Sequence, residues 1–357
     1  MDLLIFKNDI WCYLCFKKHI PLYLCTMKKI AVVILNWNGK NLLEVFLPSV
    51  VEHSDLAKIY VADNASTDDS ILFLTENYPT IQIIRNSGNF GYAKGYNDAL
   101  KQVGEQYLVL LNSDVEVTEN WLTPMLEIFE NEPKTVALQP KILDYKNKTH
   151  FEYAGAAGGF IDKYAFPFCR GRIFSTLEKD QNQYDQVSEV FWASGACLFI
   201  RKTTFEEFGG FDEDFFAHQE EIDLCWRIQN ENLKIKFVPQ AVVYHVGGAT
   251  LKENSPQKTF LNFRNSILML LKNHPKKGLF ITLFIRLCLD GMAGVFFLLQ
   301  GKPLHTWAIV RSHLHFYAKL GKTLKKRTFE QKRNYYYTSS IVFDYYLKRK
   351  SRFSEIK

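Results

Sequence analysis

Four mainly apolar runs, each stopping at a small polar cluster, constrain this chain more than any other feature. They are Ile30–Leu35, Lys58–Ala62, Ile81–Ile84 and Tyr107–Leu111. Their ends are Asn36-Trp37-Asn38-Gly39, Asp63-Asn64, Asn86 and Asn112-Ser113-Asp114. Apolar runs of this length, bounded by turn residues, read as strands buried on both faces of a parallel sheet. Leu42, Phe46 and Val50 recur at helical spacing after the first run. Ser66 and Asp69 stand at capping-box spacing, which predicts a helix running to about Asn77. Thr118 is placed to cap a helix carrying Trp121, Met125 and Phe129. Such strand–helix repeats predict a doubly wound α/β fold whose ligands bind outside the carboxyl ends of the strands. That rule puts Asn36, Asp63, Asn86 and Asp114 on one rim. Asn or Asp at one strand end is an ordinary turn residue; four together carry more weight.

Across Phe211–Arg227 the carboxylates Asp212, Glu213, Asp214, Glu220, Glu221 and Asp223 alternate with Phe215, Phe216, Leu224 and Trp226. The aromatic residues should draw this segment into a cleft rather than leave it as a solvated acidic face. Burial raises the pKa of a carboxyl group, and a raised carboxylate can serve as a general base near neutrality. Asn112-Ser113-Asp114 ends the strongest strand, where a carboxylate can hold Mg²⁺ or Mn²⁺ and through it a diphosphate. The small residues Ser194, Gly195 and Ala196 allow close approach to a sugar. His245, late in a predicted strand over Val238–Val246, is an expected contact of that metal, directly or through another group. Residues 144–188 are expected to be acceptor-side loops. A calcium loop at Asp63–Ser70 is excluded, since its central Gly and terminal Glu are missing.

The 357 residues suffice for one large or two modest domains. The net charge of +6 is unevenly placed: from Gly321 onward eleven Lys and Arg face three Asp and Glu, which leaves the preceding body slightly acidic. The body is therefore not a nucleic-acid binder, and no RNA-binding module precedes the basic tail. Seven scattered cysteines, with only Cys12 and Cys15 close together, make neither a zinc site nor a disulfide framework and fit a cytosolic setting. Residues 1–26 lack a cleavage site, and translation is expected to start at Met27, with a short membrane-surface anchor as the alternative. Leu279–Gln300 is long enough to cross a bilayer, but Arg286 and Asp290 near its middle are costly in lipid. It is expected to lie at the interface or to pack on its neighbour, with His305–Leu320 as a second amphipathic segment. Lys325-Lys326-Arg327 and Lys348-Arg349-Lys350, interspersed with tyrosines, are expected to attach to anionic headgroups. The expected division is 1–26 as an extension, 27–272 as the catalytic domain and 273–357 as a membrane-associating region.

Taken together, Ile34-Leu-Asn-Trp-Asn-Gly39, Asp63-Asn-Ala-Ser-Thr-Asp68, Asn89-Phe-Gly-Tyr-Ala-Lys-Gly-Tyr-Asn97, Asn112-Ser-Asp114, Ser194-Gly-Ala196, the acidic cluster and Tyr244-His-Val-Gly-Gly248 resemble the family 2 glycosyltransferases of the GT-A fold. The rhamnosyltransferase-like bacterial branch is the nearest, and the resemblance covers about residues 28–272. It implies a Rossmann-like, mostly parallel sheet flanked by helices, followed here by C-terminal amphipathic helices. It also implies inverting transfer of a sugar from a nucleotide-diphosphate donor to a hydroxyl of a saccharide, here a lipid-linked one used in surface polysaccharide synthesis. Donor contacts are then expected at Asn36, Asp63, Asn64, Asn89, Gly91, Lys94, Gly95, Asn112, Ser113, Ser194, Gly195 and Ala196. A divalent metal (Mg²⁺ or Mn²⁺) is expected on Asp114 and His245, and the base is Glu221, with Glu220 as second choice. Two departures stand out: Asn-x-Asp replaces the usual Asp-x-Asp, and Glu221 stands where the family has an aspartate base. The implied place is the cytoplasmic side of the bacterial plasma membrane, bound peripherally. An inactive sugar-nucleotide-binding or membrane scaffold protein is the non-enzyme alternative.

Overall fold

The computed structural model describes residues 28–247, 255–327, 331–332 and 334–356. Residues 1–26 and Met27, with the expectation about the start of translation, lie outside the described residues, as does Gly248. Strand–helix repeats open the chain: β1 (Ile30–Asn36), α1 (Lys40–His53), β2 (Ala57–Asp63), α2 (Ser70–Asn77), β3 (Gln82–Arg85), α3 (Gly91–Leu100) and β4 (Tyr107–Asn112). Next come β5 (Val115–Val117), α4 (Thr123–Asn131) and β6 (Thr135–Asp144). Four short strands follow, β7 (Gly159–Ile161), β8 (Pro167–Cys169), β9 (Arg172–Ile173) and β10 (Thr176–Leu177), which pair into a small antiparallel sheet of their own. The main sheet resumes with β11 (Ser188–Glu189) and β12 (Cys197–Arg201), then α5 (Lys202–Glu207), α6 (Glu220–Asn230) and β13 (Lys234–His245). Three long helices, α7 (Pro256–Asn273), α8 (Leu279–Leu299) and α9 (Pro303–Lys325), and the short α10 (Ile341–Tyr346) complete the chain.

The main sheet runs β11-β13-β6-β12-β4-β1-β2-β3, with β5 paired to the end of β13. It is parallel from β4 to β3, as the apolar runs predict. Beyond β4 it becomes mixed, because β12 is inserted antiparallel between β4 and β6. The register levels the polar strand ends: Asn36 sits opposite Asp63, and Asn112 opposite Leu35. Alternate residues of each strand feed the two faces. Val32 and Ile34 pack with Leu43 and Leu47 of α1 on one side, while Ala31 and Val33 join Tyr96 and Ala99 of α3 on the other. Each fully buried Val, Leu or Ile among them contributes about 1.5–3 kcal/mol to stability.

Two expected caps do not form. The Ser66 hydroxyl is held by Asp63 at 2.5 Å, so α2 starts only at Ser70, whose amide and hydroxyl bond Asp68. Thr118 donates to the Val242 carbonyl at 2.8 Å, and α4 starts at Thr123. In both cases a hydroxyl predicted to cap a helix serves a long-range bond instead.

The C-terminal third is bound closely to the body. Lys319, Lys322 and Lys326 of α9 and its end pair with Asp214, and Lys326 also reaches Asp212. Residues 335–356 cross the small sheet. Tyr335 is buried and stacks on Trp226 (4.9 Å between centroids), and Ile341, Phe353 and Ile356 fill a core with Phe168 and Ile173. Lys326 and several of the tail tyrosines are thus committed to intramolecular packing, while Lys325, Lys348 and Arg349 stay exposed.

Candidate active site

The rim is built from backbone outward. Asn36, at the end of β1, donates its amide to Asp63 (3.1 Å) and Ser66 (3.2 Å), and the Ser66 amide donates to the second Asp63 oxygen at 2.9 Å. The Asp63 carboxylate is thereby fixed at the end of β2. Asn64 is buried in a second network: its carbonyl accepts from the Asn86 amide (2.7 Å), and its own amide donates to the Gly91 carbonyl. Asn86 also bonds the Gly95 carbonyl at 3.0 Å, and a side chain at Gly95 would collide with Asn64. Asn64 and Gly95 therefore hold the β3–α3 turn in place. At the start of α3, Gly91 has φ +84° and lies so close to Phe216 that a Cβ would sit 2.5 Å from the Phe216 carbonyl, so only glycine fits. Asn89 is exposed and accepts from the Gly91 amide, while Lys94 pairs with Asp98 at 2.8 Å along the helix.

The next strand ends bring the chemistry. Asn112 ends β4; its amide nitrogen is 3.3 Å from His245 Nε2, and its backbone amide bonds the Ala196 carbonyl. Ser113, half-buried, lies beside Gly39 of the first turn. Asp114 is buried with one oxygen 3.1 Å from His245 Nε2, and His245 Nδ1 is 3.2 Å from Glu152. The Glu152 contact is an ion contact off the line of a hydrogen bond, since Nδ1 has no aligned acceptor. Burial alone would lower the His245 pKa, but the Glu152 and Asp114 carboxylates outweigh it and raise it to about 10. Burial likewise pushes Asp114 up, but His245 more than compensates and holds the carboxyl below its usual range.

Across from this cluster, Ser194–Ala196 turns tightly before β12. Ser194 is anchored by Gln139, which accepts its amide at 2.8 Å, and its hydroxyl accepts from the Ala196 amide. The Gly195 carbonyl accepts from the Tyr92 hydroxyl at 2.7 Å, and a Cβ at Gly195 would stand 3.7 Å from the Glu221 carboxyl carbon. Glu221 thus adjoins the same strand end as Asn112 and, through it, Asp114.

The acidic stretch divides into two sets. Asp212, Asp214 and Asp223 are neutralised from outside: Lys272 bonds Asp212 (3.0 Å) and Asp223 (2.8 Å), Arg227 bonds Asp223, and the α9 lysines hold Asp214. Burial raises Asp212, but Lys272 and Lys326 prevail and lower it to about 2. Among the described residues no cation stands beside Glu220 or Glu221, and each keeps one buried oxygen with no hydrogen-bond partner. Burial drives both upward, Glu220 well above the carboxylate range and Glu221 to about 7, against the amides of the first turn of α6. Glu220 is the more deeply buried, and Glu221 is half-buried at the cleft.

The segment before α6 is strained. Phe216, His218 and Gln219 have φ of +67°, +71° and +70°, costly for residues with side chains. One side chain restrains it: the Asn265 amide donates to the carbonyls of Phe215, Ala217 and His218 at 2.7–3.0 Å, and Arg264 adds bonds to Asp214 and Phe215. The sequence reading missed Asn265, Glu152 and Tyr92. The Arg264-Asn265 pair inside an apolar helix was the available signal; Glu152, in the irregular insert, offered none.

A cation site can be tested against this geometry. Among the described residues no group of three ligating side chains exists. Asp114 Oδ1 and His245 Nε2 stand 3.1 Å apart as an ion pair, so His245 would have to give up its Nε2 proton before the two could hold a cation together. The Asp114 carboxylate and a neutral His245 imidazole would fit a cation that takes its other ligands from a diphosphate and water.

A doubly wound sheet with a rim Asp, a buried carboxylate–imidazole pair and an unpaired carboxylate at the facing helix start defines a GT-A-type transferase architecture. The chain belongs to glycosyl transferase family 2, whose model matches residues 31–209, half of its length. It is 26% identical over 231 residues to the N-acetylglucosaminyl-diphospho-decaprenol L-rhamnosyltransferase of Mycobacterium tuberculosis, covering 60% of this chain and 75% of that protein. It is 22% identical to the rhamnosyltransferase WbbL of Escherichia coli K12, covering 60% and 83%. Among solved structures, GalNAc-T7 with UDP, GalNAc and Mn²⁺ matches with TM-score 0.55 at 17% identity, covering 70% of this chain and 49% of that one. The Pyrobaculum calidifontis mannosyltransferase PcManGT with GDP-Man and Mn²⁺ matches with TM-score 0.50 at 15% identity, covering 82% and 88%.

Proposed function

We propose that this glycosyltransferase transfers a hexosyl or rhamnosyl group, with inversion, from a nucleotide-diphosphate sugar to a hydroxyl of a lipid-linked saccharide during surface polysaccharide synthesis. The observation that carries this reading is Glu221: a cleft carboxylate without a cation, raised to about 7, against the small Gly195 turn that adjoins Asn112. Glu221 takes the proton of the acceptor hydroxyl, the oxygen attacks the anomeric carbon, and the bond to the departing nucleotide diphosphate breaks. Asp63, held by Asn36 and Ser66, accepts hydrogen bonds from the nucleoside. Asp114 and His245 would hold a divalent cation, Mg²⁺ or Mn²⁺, which supplies neutralisation of the diphosphate charge when bound. Asn112, Ser113, Ser194 and Ala196 shape the donor side, and Asn89, Gly91 and Lys94 its far wall.

The acceptor class follows from the named substrate of the mycobacterial relative, a diphospho-decaprenol saccharide. An enzyme working on it belongs at the cytoplasmic surface of the membrane. The deciding experiment incubates the protein with UDP-, GDP- and dTDP-sugars, with Mn²⁺, Mg²⁺ or EDTA, beside Glu221→Gln and Asp114→Ala. Release of nucleotide diphosphate from one donor, lost with EDTA and in both variants, is the expected result. Turnover untouched by EDTA removes the metal role of Asp114, and no binding of any donor by folded protein favours the inactive scaffold.

A further inference from the structure

The α8–α9 hairpin has two unlike faces. The inner one is polar at its centre: Arg286 and Asp290, 2% and 0% exposed, pair at 2.9 Å. Arg286 also donates to the Tyr164 carbonyl (2.9 Å) and the Ser266 hydroxyl (2.6 Å), and it lies on the Phe166 ring at 3.7 Å. These are the only charges of α8, and both turn toward the body. The outer face is apolar along both helices. Phe280 and Leu299 are 86% and 81% exposed, Phe284 and Met292 lie between them, and Trp307 and Leu314 continue the surface on α9. A soluble surface rarely leaves so large a contiguous apolar patch uncovered. The surrounding charge has one sign. Between Lys276 and Arg327 the sole carboxylate is the buried Asp290, while Lys277, Lys302 and Lys325 stand exposed at the helix ends.

We propose that this outer face docks in the plane of an anionic lipid bilayer, without crossing it. Apolar side chains over two helices with lysines at the ends match the layering of acyl chains beneath anionic headgroups. An acidic protein partner would meet the lysines but not the broad apolar face. Length alone would let the 21 residues of α8 cross a membrane. The Arg286 anchor opposes that: a crossing helix would draw the irregular backbone at Tyr164–Ala165 into hydrocarbon, where its polar groups lose water. The face belongs to the element that also grips the catalytic segment, since Lys319 and Lys322 of α9 hold Asp214, just ahead of Phe216. Docking would put the enzyme on the same surface as a lipid-linked acceptor. That last step rests on the proposed function; the surface itself does not.

The test is co-sedimentation of the full chain with vesicles of equal parts phosphatidylglycerol and phosphatidylcholine, and with phosphatidylcholine alone. Donor turnover and oligomeric state are measured alongside. The expected result is binding that favours the anionic vesicles and is released by alkaline carbonate. Phe284→Glu combined with Met292→Glu should weaken it at least about ten-fold, with melting and donor turnover unchanged. Lys277→Glu with Lys302→Glu, which keeps the apolar face, should remove only the preference for anionic lipid. Absence of vesicle binding, binding indifferent to the Phe284 and Met292 changes, or retention through carbonate would overturn the proposal. So would a dimer that these changes dissolve in the absence of any lipid binding, which would make the face an interface between copies. Donor turnover, read separately, shows whether the transferase reading stands when docking fails.

Discussion

Two adjacent glutamates illustrate how position within one helical turn separates roles. Glu220 is buried, and burial together with the Glu221 charge raises its carboxyl well above the usual range, whereas Glu221 lies at the cleft and burial raises it to about 7. Glu221→Gln should lower kcat by about 10²–10⁴-fold while donor affinity, measured by titration, stays close to that of the parent. Wild-type kcat should rise as pH increases through about 7, when the base loses its proton. Glu220→Gln should retain most activity, because glutamine has the shape of the protonated acid already present. Its stability effect carries a definite sign. A carboxyl whose folded pKa lies above the unfolded value contributes fully below the unfolded pKa and loses that contribution as pH rises through the folded one. Thermal melting should therefore show Glu220→Gln gaining stability at mildly alkaline pH and little at mildly acidic pH.

At the scale of elements, the helix that carries the proposed base is held in place by a helix outside the sheet. Asn265 of α7 donates to three carbonyls of the strained turn that launches α6. Asn265→Ala leaves those carbonyls unpaired and should cost about 1–3 kcal/mol in a melt, with kcat falling more than the donor KM changes. Asn265→Asp should be worse, since a carboxylate has no donor to offer three carbonyl oxygens. The sequence made the sheet rim legible because strand burial repeats along the chain and each of the first four strands ends in, or runs directly into, Asn or Asp. Within the 212–223 stretch only the family resemblance singles out Glu221 as the expected base, with Glu220 second; the residues themselves do not show which acids are neutralised. That sorting depends on Lys319 and Lys326, more than a hundred residues away, which neutralise Asp214 and leave Glu221 without a cation. The caps at Ser66 and Thr118 failed for the same reason: local spacing matched a helix start, while Asp63 and Val242 offered stronger long-range partners.

At the scale of the molecule, the tail is part of the fold. If residues 335–357 were a basic arm reaching for lipid, deleting them would leave the melting temperature where it was. The structure argues otherwise. Ile341, Phe353 and Ile356 are buried against Phe168 and Ile173 of the small sheet, and buried Asp162 accepts from the Ile341 amide at 3.0 Å. Tyr335 lies on Trp226 and donates to the Lys163 carbonyl at 2.6 Å, so the tail ties the insert to the back of α6. Four buried apolar or aromatic side chains, at about 1.5–3 kcal/mol each, amount to several kcal/mol. A chain ending at Asn334 should melt well below the full protein and lose kcat, because α6 carries Glu221 at its far end. Ile341→Glu separates packing from charge. It keeps every basic residue of the tail but places a carboxylate in the buried cluster, so it should reproduce most of the loss of stability. A normal melt for Ile341→Glu would mean that the tail is held by its charges alone.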